Sequence, residues 1–119
     1  MNLAISANYY VIKTAADWLT INNVGQLPGT NVPLPAVNFS NQMVLEVSEY
    51  LDGAGACFIQ PVITSVCFYS DHIEVDYQKG SDPCPPNTSG LSGGPGIGNN
   101  FQAMVAVPQS NLPVTWIGN

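Results

Sequence analysis

Residues 37–51 read VNFSNQMVLEVSEYL, and the second half of this stretch decides the fold class. In an extended chain Met43, Leu45 and Val47 point to one side, and the residues between them, including Glu46, point to the other. An alternation with a period of two predicts a strand that has one face in the core and one face in water. We therefore expect Glu46 on the water face.

Five further segments are rich in β-branched and aromatic residues, which predicts strands at 8–13, 57–69, 73–77, 101–107 and 114–117. Pro61 lies inside the second of these segments and indicates a sheet edge or a bulge there, because proline donates no backbone hydrogen bond. In the third, IEVDY, the alternation places Ile73, Val75 and Tyr77 in the core.

Residues 14–23, TAADWLTINN, predict one short helix. Thr14 is a favourable first cap, and Asp17 in the first turn complements the positive end of the helix dipole. Trp18 and Leu19 lie on one helical face, so we expect both to anchor the helix to the core.

Residues 25–36 contain three prolines and predict an extended arm, and residues 79–100 form a Gly- and Pro-rich loop insertion. Residues 1–119 have the length of a single domain, with neither a repeat nor a linker. The predicted fold is mostly β, a single antiparallel β-sandwich or partly open barrel with one short N-terminal helix.

The charge of the chain excludes two classes of partner. Only 8% of the residues are charged, against about 25% in an average domain. Lys13 and Lys79 are the only cationic residues, and the net charge is −6. Nucleic-acid binding and attachment to anionic lipid both need several basic residues, so neither is expected.

Localisation is predicted from what the chain lacks. No apolar stretch is long enough to span a membrane, so no membrane insertion is expected. No signal peptide is visible either. Two accounts are open: a cytosolic protein, or an exported one whose export signal is not part of this sequence. Partly from the cysteines, we expect the second, an extracytoplasmic protein (periplasmic, surface or secreted).

The three cysteines lack the spacing of a metal site, and His72 is the only histidine, so no metal or other cofactor is expected. A hairpin tip at Asp71 and His72 places Cys57 opposite Cys84 on the paired strands. We predict a disulfide between Cys57 and Cys84, which fits an exported protein, and a free thiol at Cys67 within the core.

Catalytic groups are sparse. His72 is the only imidazole base, and it lacks a G-x-S-x-G nucleophile segment. Its neighbour Asp71 is expected to point away from it. Glu74 and Asp76 have the spacing of paired carboxylates on one strand face, but a half-buried strand shows the same pattern on its water side. We therefore expect a protein that is not an enzyme.

The order of segments resembles the PrcB-type domain of exported bacterial proteins, which is named for a subunit of a surface protease complex. The resemblance covers most of the chain, and its sharpest part is P-x-V-N-F-S-x-x-M-V-L at residues 35–45, with V-A-V-P at residues 105–108. Asn38 stands where that family has aspartate, and Phe101 and Gln102 replace its usual proline and aromatic. The resemblance implies a small, exported, β-rich accessory module and carries over no active site.

Three functions are weighed. The first is a non-catalytic accessory or protein-interaction module that binds another exported protein through a sheet edge or the proline-rich arm, assisting a secreted protease or surface complex. The alternative is a carbohydrate- or cell-wall-binding module whose ligand-facing aromatics are Tyr9, Tyr50 and Trp116. The third is a small hydrolase built around His72 and a carboxylate.

Overall fold

The structure, a computed structural model, describes residues 5–23, 34–52, 59–81 and 98–119. In these ranges the chain forms six strands and one helix, in the order β1 (Ile5–Ile12), α1 (Ala15–Asn23), β2 (Gln42–Asp52), β3 (Val62–Phe68), β4 (Ile73–Gln78), β5 (Gly98–Pro108) and β6 (Val114–Gly118). The mostly-β class with one short helix is confirmed.

The strands form two three-stranded sheets. Sheet 1 has the order β1-β2-β5 and is antiparallel throughout. Sheet 2 has the order β3-β4-β6, and its second pair, β4 with β6, is parallel. This pair departs from the purely antiparallel sheet that we expected. The order leaves β1, β5, β3 and β6 as edge strands and makes β2 and β4 the central strands.

The two sheets pack face to face around an apolar core. Met43 and Leu45 of β2 contribute to it from sheet 1, and Ile73 and Val75 of β4 contribute from sheet 2. All four side chains have no exposed surface. The predicted inward direction of the β4 residues is confirmed, and the sandwich forms because each sheet buries one apolar face against the other.

Helix α1 covers the opposite face of sheet 1 and adds a third layer. The Asp17 backbone N–H donates to the Thr14 hydroxyl at 3.1 Å, so the predicted cap is confirmed. Trp18 is buried against Ile12 and Val44. Leu19, by contrast, is 45% exposed, so the expectation that it anchors the helix is wrong.

Because sheet 1 is covered on both faces, its central strand β2 is buried on both faces. Met43, Val44, Leu45, Glu46 and Val47 are all buried. The prediction that Glu46 faces water is wrong, because alternation along one strand carries no information about a helix that packs on the outer face of the sheet.

The β3–β4 hairpin has a different register from the one predicted. The Tyr69 backbone N–H donates to the His72 carbonyl at 2.8 Å and closes the turn. Cys67 therefore pairs with Glu74, and its side chain is exposed. The free thiol is not in the core, because Cys67 pairs with Glu74, which lies on the face of β4 opposite to the buried Ile73 and Val75.

Two other boundaries differ from the sequence predictions. Strand β3 begins at Val62, directly after the buried Pro61, and just before it Ile59 forms an isolated bridge with Ser81. Strand β5 begins at Gly98, so residues 98–100 pair with β2 rather than belong to the loop predicted at 79–100. Residues 82–97 of that loop, and residues 25–33 of the arm, lie outside the described ranges.

Candidate functional site

An aromatic cluster joins the two sheets at one side of the sandwich. Tyr9 of β1 stacks on Trp116 of β6, with ring centroids 5.0 Å apart. The Tyr9 and Tyr77 hydroxyls share a hydrogen bond of 2.7 Å, and their rings meet edge to face at 5.9 Å. We call Tyr9, Tyr77 and Trp116 the aromatic seam. It ties edge strand β1 to sheet 2, because each aromatic pair contributes about 0.5–1.5 kcal/mol beyond its buried area.

The seam is closely packed around Tyr77. Burial raises the pKa of the Tyr77 hydroxyl, and the Tyr9 hydroxyl and the negative charge of Glu49 raise it further. A Cβ atom at Gly118 would lie 2.8 Å from the Tyr77 hydroxyl oxygen, so glycine is needed where β6 passes this ring. The sequence prediction chose Tyr9 and Trp116 as ligand-facing aromatics and placed Tyr77 in the core.

The three aromatics predicted to face a ligand do not form one surface. The structure brings Tyr9 and Trp116 together, but their ring faces stack on each other. Tyr50 pairs with Ser6, and Tyr9 pairs with Val47 three positions away on β2. An odd separation along a strand reverses the side-chain direction, so Tyr50 lies on the helix-covered face and Tyr9 on the inner face. No shared sugar-binding platform results from these three residues.

The charged residues are distributed unevenly between central and edge strands. Each central strand carries acidic residues, namely Glu46, Glu49 and Asp52 on β2 and Glu74 and Asp76 on β4. None of the four edge strands contains an Asp, Glu, Lys or Arg. Natural proteins commonly protect exposed sheet edges with charges, especially lysine. In this protein the strand charges lie on the central strands instead, so the edge strands lack that protection.

Three of the four edge strands have other features that make them less suited to pairing with a further strand. Strand β3 has a register shift between Ile63 and Ser65, where the Thr64 hydroxyl donates to the Asp76 carbonyl at 3.1 Å. Strand β5 lies against β3 of the other sheet, and β6 is only five residues long. A bulge, a covered side or a short length each makes an edge a poorer template for pairing.

Strand β1 has neither a bulge nor a short length. Its eight residues pair with β2 without a register shift, and they include no proline or glycine. Within the described ranges, no strand pairs with its other side. Its exposed side chains include Tyr9 at 44% and Val11 at 42%. The β1 edge, together with the aromatic seam beside it, is the candidate site for binding an extended segment.

Glu46 and Glu49 form a second feature that the sequence prediction missed. The buried Glu49 carboxylate accepts a hydrogen bond from the Gly80 backbone N–H at 2.7 Å. Glu46 lies under α1, and burial raises the pKa of its carboxyl while the nearby Asn22 amide partly opposes that rise. The Asn22 amide donates to the Trp18 carbonyl at 3.1 Å, and no well-formed hydrogen bond from a described residue reaches either Glu46 oxygen.

The predicted geometry at His72 was wrong in one respect. The His72 Nδ1 and Asp71 Oδ1 atoms lie 2.7 Å apart, so the two side chains meet rather than point away from each other. This contact lowers the pKa of the Asp71 carboxyl. The His72 ring also stacks on Tyr69 at 4.6 Å. The ring makes no side-chain hydrogen bond to a nucleophile among the described residues, so the group forms an ordered hairpin tip.

The remaining predicted sites divide between described and undescribed parts of the chain. Cys57 and Cys84, the predicted disulfide pair, lie outside the described ranges. In the described ranges, no group of three or more His, Cys, Asp or Glu residues is placed to hold a metal ion. The same ranges contain no helix that is long and apolar enough to cross a membrane.

Comparison of the chain with protein-family models, with curated proteins and with solved structures finds no match.

Proposed function

We propose that the protein is a non-catalytic interaction module that binds an extended segment of another exported protein by strand addition at the β1 edge. The supporting observation is that β1 is a regular, uncharged edge strand of eight residues. In strand addition the backbone of the edge supplies hydrogen bonds, and neighbouring side chains supply selectivity.

Export, a bacterial source and a role beside a secreted protease or surface complex belong to the same proposal. They rest on the PrcB-like pattern at residues 35–45 and on the weakly charged composition. The carbohydrate-binding alternative has less support, because Tyr9 and Trp116 stack on each other and Tyr50 lies on the other face of sheet 1.

The proposal is tested by purifying the tagged protein from its host with two matched variants. Val11→Lys places a charge on the β1 edge, whereas Leu19→Lys places the same charge on α1 at a similar exposure, 45% against 42%. The wild type and Leu19→Lys are expected to recover the same partner protein, and Val11→Lys is expected to lose it.

Circular dichroism and thermal unfolding first establish that both variants are folded. Recovery of the protein alone from the host, or equal recovery of a partner by the two lysine variants, contradicts strand addition at β1.

A further inference from the structure

The side chains of β1 restrict the pattern of any strand that pairs with it. Tyr9, which belongs to the aromatic seam, and Val11 are exposed on the inner-face side of the strand. Ser6 and Asn8 are exposed on the opposite side. Because directly opposed residues of paired strands point to the same face, an added strand would place alternate side chains against these two surfaces. Apolar side chains two residues apart match Tyr9 and Val11, and polar residues match Ser6 and Asn8.

The charge of the protein favours basic residues at the ends of a segment that pairs with β1. Neighbouring strands lie about 4.8 Å apart, so a strand added to β1 lies about 10 Å from β2. This distance is close to the Debye length of about 8–10 Å in physiological salt, and buried charges are screened less than exposed ones. Strand β2 carries Glu49 in the buried interior, and the chain as a whole has a net charge of −6. The net charge of −6 therefore favours a basic segment over an acidic one.

The same net charge argues against a second copy of this chain as the occupant. Two copies would each bring a net charge of −6, and only Lys13 and Lys79 would be available to offset it. Lys13, which directly follows β1, is already hydrogen-bonded to Asn111 at 2.8 Å. Like charges of this size oppose association, whereas a cationic partner is attracted and its association is accelerated.

Resting on the proposed function, we infer that the occupant of the β1 edge is an extended segment of a different protein, with apolar side chains at alternate positions and lysine or arginine at its ends. The alternation fits Tyr9 and Val11 against Ser6 and Asn8, and the basic ends fit the net charge of −6. The aromatic seam provides the rigid apolar surface beside the added strand.

The inference is tested with three short peptides and the full chain. The first alternates valine and threonine and has two lysines at each end. The second has the same centre with glutamates at its ends, and the third keeps the composition of the first but groups its valines together. Isothermal titration calorimetry at low and physiological salt measures affinity, and hydrogen exchange locates the binding strand.

The first peptide is expected to bind at least about tenfold more tightly than the other two, with an affinity that falls as salt rises. It is expected to slow amide exchange at residues 6–11, and Val11→Lys is expected to abolish the effect while Leu19→Lys keeps it. Equal binding of the lysine and glutamate peptides overturns the charge requirement, and equal binding of the grouped peptide overturns the alternation.

Two further outcomes separate this inference from the proposed function. If the chain forms dimers in light scattering that Val11→Lys disrupts, the edge is used by a second copy and the inference is overturned. If no peptide binds while the host partner is still lost only from Val11→Lys, the partner chemistry is wrong and strand addition stands.

Discussion

Glu46 and Glu49 lie three residues apart on β2, and both are buried, but they are stabilised differently. Glu49 faces the sheet–sheet interior, where the Gly80 backbone N–H donates to it at 2.7 Å. Glu46 faces α1, where neither of its oxygens has a well-formed hydrogen bond from a described residue. The buried Trp18 indole N–H on the same side is also without a partner in the described ranges.

The difference indicates that the packing of α1 on one face of sheet 1 is less stable than the packing of sheet 2 on the other. A buried polar group that lacks a hydrogen bond destabilises the folded state by about 1–3 kcal/mol, whereas one that is hydrogen-bonded is close to neutral or favourable. Helix α1 is held by Trp18, by the cap at Thr14 and by the Gln102 side-chain amide, which donates to Asn22 at 2.8 Å. We therefore expect the helix layer to be released more easily than the sandwich.

The largest expected effect is that of Trp18→Ala, which removes the main apolar contact between α1 and sheet 1. It is expected to lower the free energy of unfolding by about 3–5 kcal/mol, measured by urea denaturation. Leu19→Ala, one position away but exposed, is the control and is expected to change it by about 0.5 kcal/mol or less. Equal effects of the two substitutions would show that the helix is not anchored by Trp18.

Glu49→Leu tests the hydrogen-bonded carboxylate. It removes the acceptor of the Gly80 N–H and leaves a buried donor unpaired, which is expected to cost about 1–3 kcal/mol of stability. Glu49→Gln keeps a side-chain oxygen acceptor and serves as the control, with a smaller loss. If Leu and Gln destabilise the protein equally, the bond to Gly80 contributes nothing measurable.

Glu46→Gln tests the carboxylate beneath the helix through its pH dependence. Because burial raises the pKa of Glu46 above its ordinary value of 4.5, its charged form is disfavoured in the folded state. The stability that the protonated carboxyl provides is complete below pH 4.5 and is lost as the pH rises through the raised pKa. Each unit of pKa shift corresponds to about 1.4 kcal/mol.

Glu46→Gln should accordingly unfold at a higher temperature than the wild type at pH 7–8 and at nearly the same temperature at pH 4, in thermal scans followed by circular dichroism. A variant that loses stability at pH 7–8 would show that the ionised Glu46 carboxylate has favourable partners in the folded protein. The packing on the two faces of sheet 1 would then not differ in stability.

Sequence patterns predicted much of the fold because they are local. The alternation in residues 73–77 correctly placed Ile73, Val75 and Tyr77 in the core, and Thr14 correctly capped α1. The hairpin between β3 and β4 was located correctly, but its register was not, because the turn is centred between Ser70 and Asp71, one residue earlier than predicted, and the bulge between Ile63 and Ser65 shifts the pairing by one more.

The candidate site was predicted only in part. Tyr9 and Trp116 were chosen as exposed aromatics, and the structure brings them together because β1 and β6 lie at the same side of the sandwich. Their sequence separation gives no sign of this contact. The burial of Glu46 had one signal in the sequence: a helix with Trp18 on one face needs a second apolar surface, which the outer face of β2 provides.

The sequence by itself determined the strands, the capped helix and the low charge, since these depend on neighbouring residues and on composition. The tertiary structure alone decided which strands lie at the edges and which face of β2 meets α1. Those outcomes depend on the pairing of distant segments, such as β2 with β5 and β4 with β6. For that reason the uncharged β1 edge is visible only after the sheets are assembled, when the acidic residues of the strands prove to lie on β2 and β4.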